Sequence, residues 1–113
     1  MRALGSYVLP VSFQLVLQFP GDSLSDYDAL IALEDQLVAA LGHSACVDGH
    51  DGGSGESNMF VITNHPASTF ARAWPSLERA GCLASMRVAY REIAGEEYTV
   101  LWPVDSTEEF AVL

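Results

Sequence analysis

Over residues 11–19, apolar side chains recur at every second position: Val11, Phe13, Leu15, Leu17 and Phe19 fall on one side, and Ser12, Gln14, Val16 and Gln18 on the other. A period of two is that of a β-strand with one buried face. Pro20-Gly21-Asp22 ends it, since proline cannot donate to a ladder and glycine frees the turn. Such a strand obliges the rest of the chain to build a sheet and to cover it. Ser25 or Asp26 is placed to cap a helix running to about Leu41, with Tyr27, Leu30, Ile31, Val38 and Leu41 inward and Gly42 closing it. A short strand is expected at residues 45–47, a glycine-rich loop from Asp48 to Ser57, and a third strand at residues 59–63, apolar on both sides.

Thr63 or Asn64 is expected to cap a second helix, with Pro66 in the first turn, where a missing N–H costs nothing, and Phe70, Ala73, Trp74 and Leu77 as its buried stripe. Pro75 lies inside that stripe and predicts a kink or a break before the helix ends near Gly81. Met86, Val88 and Tyr90 alternate with Arg87, Ala89 and Arg91, and Tyr98, Val100 and Trp102 alternate with Thr99 and Leu101, so two paired strands follow. The order is that of an α+β fold: a ferredoxin-like βαββαβ arrangement with an extra C-terminal strand, its antiparallel sheet carrying two helices on one face. At 113 residues the chain is read as a single domain, 1–113, whose last stretch, 104–113, is an acidic tail.

Residues 60–66 (Phe-Val-Ile-Thr-Asn-His-Pro), Phe70, Pro75, Leu77, Tyr90-Arg91 and the run from Tyr98 to Pro103 resemble a group of small uncharacterised bacterial proteins of ferredoxin-like fold. The resemblance covers the second half of the chain. It implies the fold and carries no activity, cofactor or site.

Composition narrows the function. Half of the residues are hydrophobic and 18% are charged, the balance of a folded globule. Acids outnumber bases 15 to 5, for a formal charge of −10, and a field of that sign repels phosphate backbones and anionic headgroups. Neither nucleic acid nor a membrane is expected as a partner. All five bases are arginines, which excludes a Walker-type phosphate loop, a Schiff-base lysine and an amine nucleophile on a side chain. Cys46 and Cys82 show no zinc or thioredoxin spacing and read as small buried hydrophobes. Pro10, Gln14 and Gln18 interrupt the N-terminal apolar stretch and no small-residue cleavage site follows, so a cytoplasmic location is expected.

The candidate chemistry is thin. The loop from Asp48 to Glu56 offers carboxylates, an imidazole and mobile backbone, but it puts His50 and Gly52 where a calcium hand needs oxygen ligands and Met59 where it needs the closing glutamate. Gly53-Ser54-Gly55 precedes a strand rather than a helix and cradles no phosphate. His50, Asp51, Glu56, Asn58 and His65 flank the third strand; if they converge, His50, Glu56 and His65 would give a metal two nitrogens and a carboxylate, although the spacing specifies none. The plainer reading is a hairpin loop, with His65 a turn residue before Pro66. Arg87 and Arg91 share a strand face and suit a ligand carboxylate or phosphate, or else pair with the chain's own Glu92, Glu96 and Glu97. No nucleophile elbow is present, so the sequence leans away from an enzyme, and no cofactor is expected.

The second face of the sheet carries the strongest functional expectation. With helices on one side only, Val16, the outer side of residues 59–63 and either Leu101 or its neighbours would leave apolar area on the other; an interface through Gln14, Val16, Gln18 and Leu101 would let a second copy in a homodimer cover it, sheet to sheet or edge to edge through the terminal hairpin, or another protein would do so. The competing possibility is that Phe110, Val112 and Leu113 of the tail fold back over it. The expected function is therefore a small acidic binding module, in one form an inhibitor or immunity-type protein that neutralises a basic partner. The alternative is a small-molecule or metal-binding sensor or enzyme using His50, Glu56 and His65.

Overall fold

A computed structural model describes residues 11–21, 27–53 and 55–112. It contains β1 (Phe13–Pro20), α1 (Tyr27–Leu41), β2 (Cys46–Gly53), β3 (Glu56–Thr63), α2 (Pro66–Arg79), β4 (Arg87–Glu92) and β5 (Thr99–Trp102). The fold is α+β, with one five-stranded sheet in the order β2-β3-β1-β4-β5 and antiparallel pairing throughout. β1 sits at the centre, with Val16 opposite Phe60 on one side and Ala89 on the other.

Alternation along β1 divides the sheet into two faces. Leu15, Leu17 and Phe19 join Met59, Val61 and Val88 in a core roofed by Leu30, Leu33, Leu37 and Leu41 of α1 and Phe70, Ala73 and Leu77 of α2. The α1 stripe follows the leucines at three- and four-residue steps; Val38, expected inside, is 53% exposed, because the true stripe runs through Leu33 and Leu37 about a third of a turn away. The capping residues expected for α1, Ser25 and Asp26, lie outside the described residues, as does the side chain of Tyr27.

α2 is continuous, so of the kink or break expected at Pro75 the break does not occur. Pro75 and Ala71, whose carbonyl loses its helical donor, are both exposed, so water can satisfy the freed oxygen. His65, not Asn64 or Thr63, occupies the N-cap position, and its side chain makes no capping bond. The Thr63 hydroxyl accepts from the His65 N–H at 3.0 Å and bonds the Thr69 hydroxyl at 2.7 Å, while Asn64 donates instead to the Val11 carbonyl.

The glycine-rich stretch is strand rather than loop. β2 and β3 pair to the tip of their hairpin, with Asp51 opposite Asn58 and Gly53 opposite Glu56. The register shifts between Val47 and His50, where Gly49 takes φ +109°, a conformation that favours glycine. At the tip, a Cβ on Gly21 would lie 2.8 Å from the Gly55 carbonyl oxygen, so only glycine lets the end of β1 approach the hairpin. No helix among the described residues is long and apolar enough to cross a membrane.

The other face is covered by the chain itself. Val16 and Ala89 have no exposed surface, and Phe110 of the C-terminal segment, 7% exposed, packs on them together with Phe60, Tyr98, Val100 and Val112. The expectation of an open apolar face is therefore corrected at its centre: the tail closes it through Phe110 and Val112, while Leu113 lies outside the described residues. Leu101, expected on this face, packs with Trp102 against the helix-side core, because a register shift between β4 and β5 displaces the alternation by one residue and leaves Val100 on the tail side.

Candidate functional site

The histidines and carboxylates expected to converge do not. His50 stands opposite Met59, on the face carrying α1, and its Nδ1 lies 2.9 Å from Glu34 Oε2. Glu56 lies opposite Pro20 at the hairpin end and reaches the other face, where its Oε1 accepts from Gln18 Nε2 at 3.2 Å. His65 is exposed beyond the far end of β3; from Met59 to Thr63 alone the strand advances about 13 Å. Strand alternation thus separates His50 from Glu56, and strand length separates both from His65. Among the described residues no group of three or more His, Cys, Asp or Glu side chains is placed to hold a metal ion.

Asp51 and Asn58 belong to a polar network that fastens the sheet. Gln18 Nε2 donates to Asn58 Oδ1 at 3.1 Å and to the Ala111 carbonyl at 2.9 Å, and Asn58 Nδ2 donates to Asp51 Oδ1 at 3.1 Å. Gln18 and Asn58 are buried, so these bonds satisfy groups that would otherwise be costly. Gln14, half-buried opposite Ile62 and Arg91, lies on the same face.

The two arginines are held by main-chain oxygen and form no ion pair with Glu92, Glu96 or Glu97. Arg91 Nη1 donates to the carbonyls of Glu92, Ile93 and Gly95 at 3.2, 2.8 and 3.0 Å, holding the turn that leads to β5. Arg87 donates through Nη1 to the Glu109 carbonyl at 3.1 Å and through Nη2 to the Glu108 carbonyl at 3.0 Å, with its guanidinium 5.1 Å from the centre of the Phe110 ring. With the guanidinium donors bound to main-chain oxygen, no arginine among the described residues forms an ion pair with a carboxylate, and the one acid–base pair there is His50–Glu34.

That arrangement leaves acidic side chains free at one end of the sheet. Glu96 and Glu97, on the turn held by Arg91, face Glu108 and Glu109, on the segment held by Arg87, across a cleft of about 360 Å³. Tyr98 and Phe110 line it, their ring centroids 4.9 Å apart. A second concavity of about 380 Å³ shares Glu96 and Glu97 and adds Glu92, Tyr90 and Phe13. The acidic cleft is the candidate site, and none of its residues was picked as a site residue from the sequence, where Glu96 and Glu97 figure only as arginine partners and Phe110 only as cover for the sheet. A signal exists all the same: the chain twice writes two glutamates before an aromatic, at Glu96-Glu97-Tyr98 and Glu108-Glu109-Phe110.

At the opposite end of the sheet, a cleft of about 530 Å³ is lined by His43, Ser44, Cys46 and Asn64. Cys46 is exposed there, not buried as expected, because it begins a strand that, among the described residues, has no neighbour on its outer side. Its thiol donates only to the Val47 carbonyl at 3.8 Å, and no hydrogen bond joins it to His43, so the pair lacks the base contact that would activate a nucleophile. Cys82 is buried, and desolvation raises its pKa above the ordinary 9.0. Comparison with family models, curated proteins and solved structures finds no match to this chain.

Proposed function

We propose that this chain is a small acidic binding module of ferredoxin-like architecture that engages a basic protein partner through the cleft between Glu96-Glu97 and Glu108-Glu109. The observation that carries the reading is four carboxylates gathered around an aromatic pair and in no ion pair among the described residues, since the nearby Arg87 donates to main-chain carbonyls instead. A lysine or arginine side chain entering the cleft would meet carboxylates at its charged end and the half-buried Tyr98 along its stem, with the buried Phe110 beneath. The formal charge of −10 adds long-range steering that accelerates encounter with a basic surface. The chemistry suits an inhibitor or immunity-type protein that neutralises a basic partner. The strand order supports the architecture, since β1 lies between β3 and β4 as in a split βαβ sheet, with β5 added beside β4.

Fluorescein-labelled hexa-arginine tests the site. Its affinity should fall as salt rises and should be lost when Glu96, Glu97, Glu108 and Glu109 are all changed to glutamine. Neutralising four acids elsewhere (Asp28, Glu34, Asp35 and Glu78) should leave most of it. Equal losses in the two variants would mean that net charge alone attracts the peptide, and the site would be abandoned.

A second reading, a homodimer, would use a sheet edge or the half-covered end of the tail-side face around Gln14 and Ile62, since Val16 already lies under Phe110. Light scattering at micromolar concentration decides it: a single 12.2 kDa species removes the dimer.

A further inference from the structure

One wall of the acidic cleft belongs to a segment that joins no strand ladder among the described residues. Residues 103–112 carry Glu108, Glu109 and Phe110, and they lie on the sheet through a handful of side-chain bonds. Arg87 holds the Glu108 and Glu109 carbonyls and reaches Ser106 Oγ at 3.4 Å, Gln18 holds the Ala111 carbonyl at 2.9 Å, and Phe110 fills the space over Val16 and Ala89. All these ties converge on residues 106–112, and releasing them breaks no strand pairing. Such a segment opens locally at lower cost than the sheet beneath it.

We infer that the C-terminal segment is a latch that assembles the binding site, with Arg87 as the positioning residue that keeps it closed. The inference rests on the proposed cleft and adds its regulation. With the segment lifted, Glu108, Glu109 and Phe110 leave, and Glu96 and Glu97 remain on an isolated turn. A cation that binds only the closed form shifts the segment toward closure, and anything that draws Arg87 away dismantles the site without touching a carboxylate. Arg87 fits this part because it bears a positive charge beside a cation-binding cleft, where its charge alone works against the ligand.

Hydrogen exchange across residues 104–112, read by mass spectrometry on the full chain, tests the latch directly. Phe110→Ala and Arg87→Ala should each speed exchange there by about tenfold or more, the loss expected when a packed ring or a pair of charge-assisted bonds is removed, while β1 stays protected as a control for the fold. Saturating hexa-arginine should slow exchange of the same residues in the wild-type chain. Arg87→Ala should also weaken hexa-arginine about tenfold, although removing a positive charge would by itself strengthen it; Arg87→Lys, which keeps the charge and loses the fork, should fall between. Unchanged exchange in both alanine variants would overturn the latch, as would faster exchange with undiminished peptide affinity. If the wild-type chain does not bind hexa-arginine at all, the proposed cleft fails, and the exchange rates alone then decide whether the segment is latched by Arg87 and Phe110.

Discussion

The two faces of the sheet are dried by different means. On one, α1 and α2 lay Leu30, Leu33, Leu37, Leu41, Phe70 and Leu77 over β1, β3 and β4, and regular helices provide both the cover and their own backbone bonding. On the other, a segment without regular structure covers Val16 and Ala89 with one aromatic ring, and its backbone carbonyls depend on Arg87 and Gln18 for partners. Cover by helices adds many small contacts that share the load. Cover by a strap concentrates it on three side chains, and that concentration makes the strap side the natural place for a controllable site.

The contrast breaks most sharply at Val16. An aspartate there would bury an unpaired charge beneath Phe110 and should cost on the order of 3–5 kcal/mol in a urea titration. A cost within about 0.5 kcal/mol, as expected of an ordinary surface position, would mean that the strap does not seal its face. Truncating one ring or chain on each side sharpens the comparison. Leu37→Ala should cost about 3 kcal/mol, and Phe110→Ala about 2 kcal/mol because the segment that carries it joins no strand ladder among the described residues and can settle into the space left. Only the first is expected to speed exchange in β1 and β3.

The smallest effect concerns how dry the helix-side core is. Cys82 is held neutral there, so its folded pKa lies above the unfolded one and the unfolded chain gives up the proton first. Stability should hold below the ordinary 9.0 and then fall as pH climbs through the folded value, by at most about 1.4 kcal/mol per pH unit. Cys82→Ser should flatten that slope, and iodoacetamide should reach Cys46 well before Cys82.

Periodicity explains what was readable beforehand. The alternation of β1, the helical spacing of α2 and the turn residues predict all seven elements in order, because helices and strands bury a repeating pattern. Periodicity failed where no period exists. The segment around Phe110 buries a single ring, and nothing in the spacing of Val104, Phe110 and Val112 distinguishes a docked strap from a free tail. The glycines at 49, 52 and 53 hid a strand, since they carry no side-chain pattern to read. Arg87 and Arg91 were recognisable as a pair on one face, but their partners were not, because a main-chain carbonyl has the same chemistry at every position. The acidic cleft depends on two such carbonyl grips, at residues far apart in the chain, and so appeared only with the fold.

The bulge at Gly49 bears on how these molecules behave in a crowd. β2 is one outer margin of the sheet, and a strand from a neighbouring molecule laid against it would find the rhythm of donors and acceptors interrupted after Val47, with Asp48 and Asp51 close by. Growth of stacked ribbons from that margin is therefore discouraged, since an incoming strand would meet the break in rhythm and two carboxylates where an unbroken margin would offer a template.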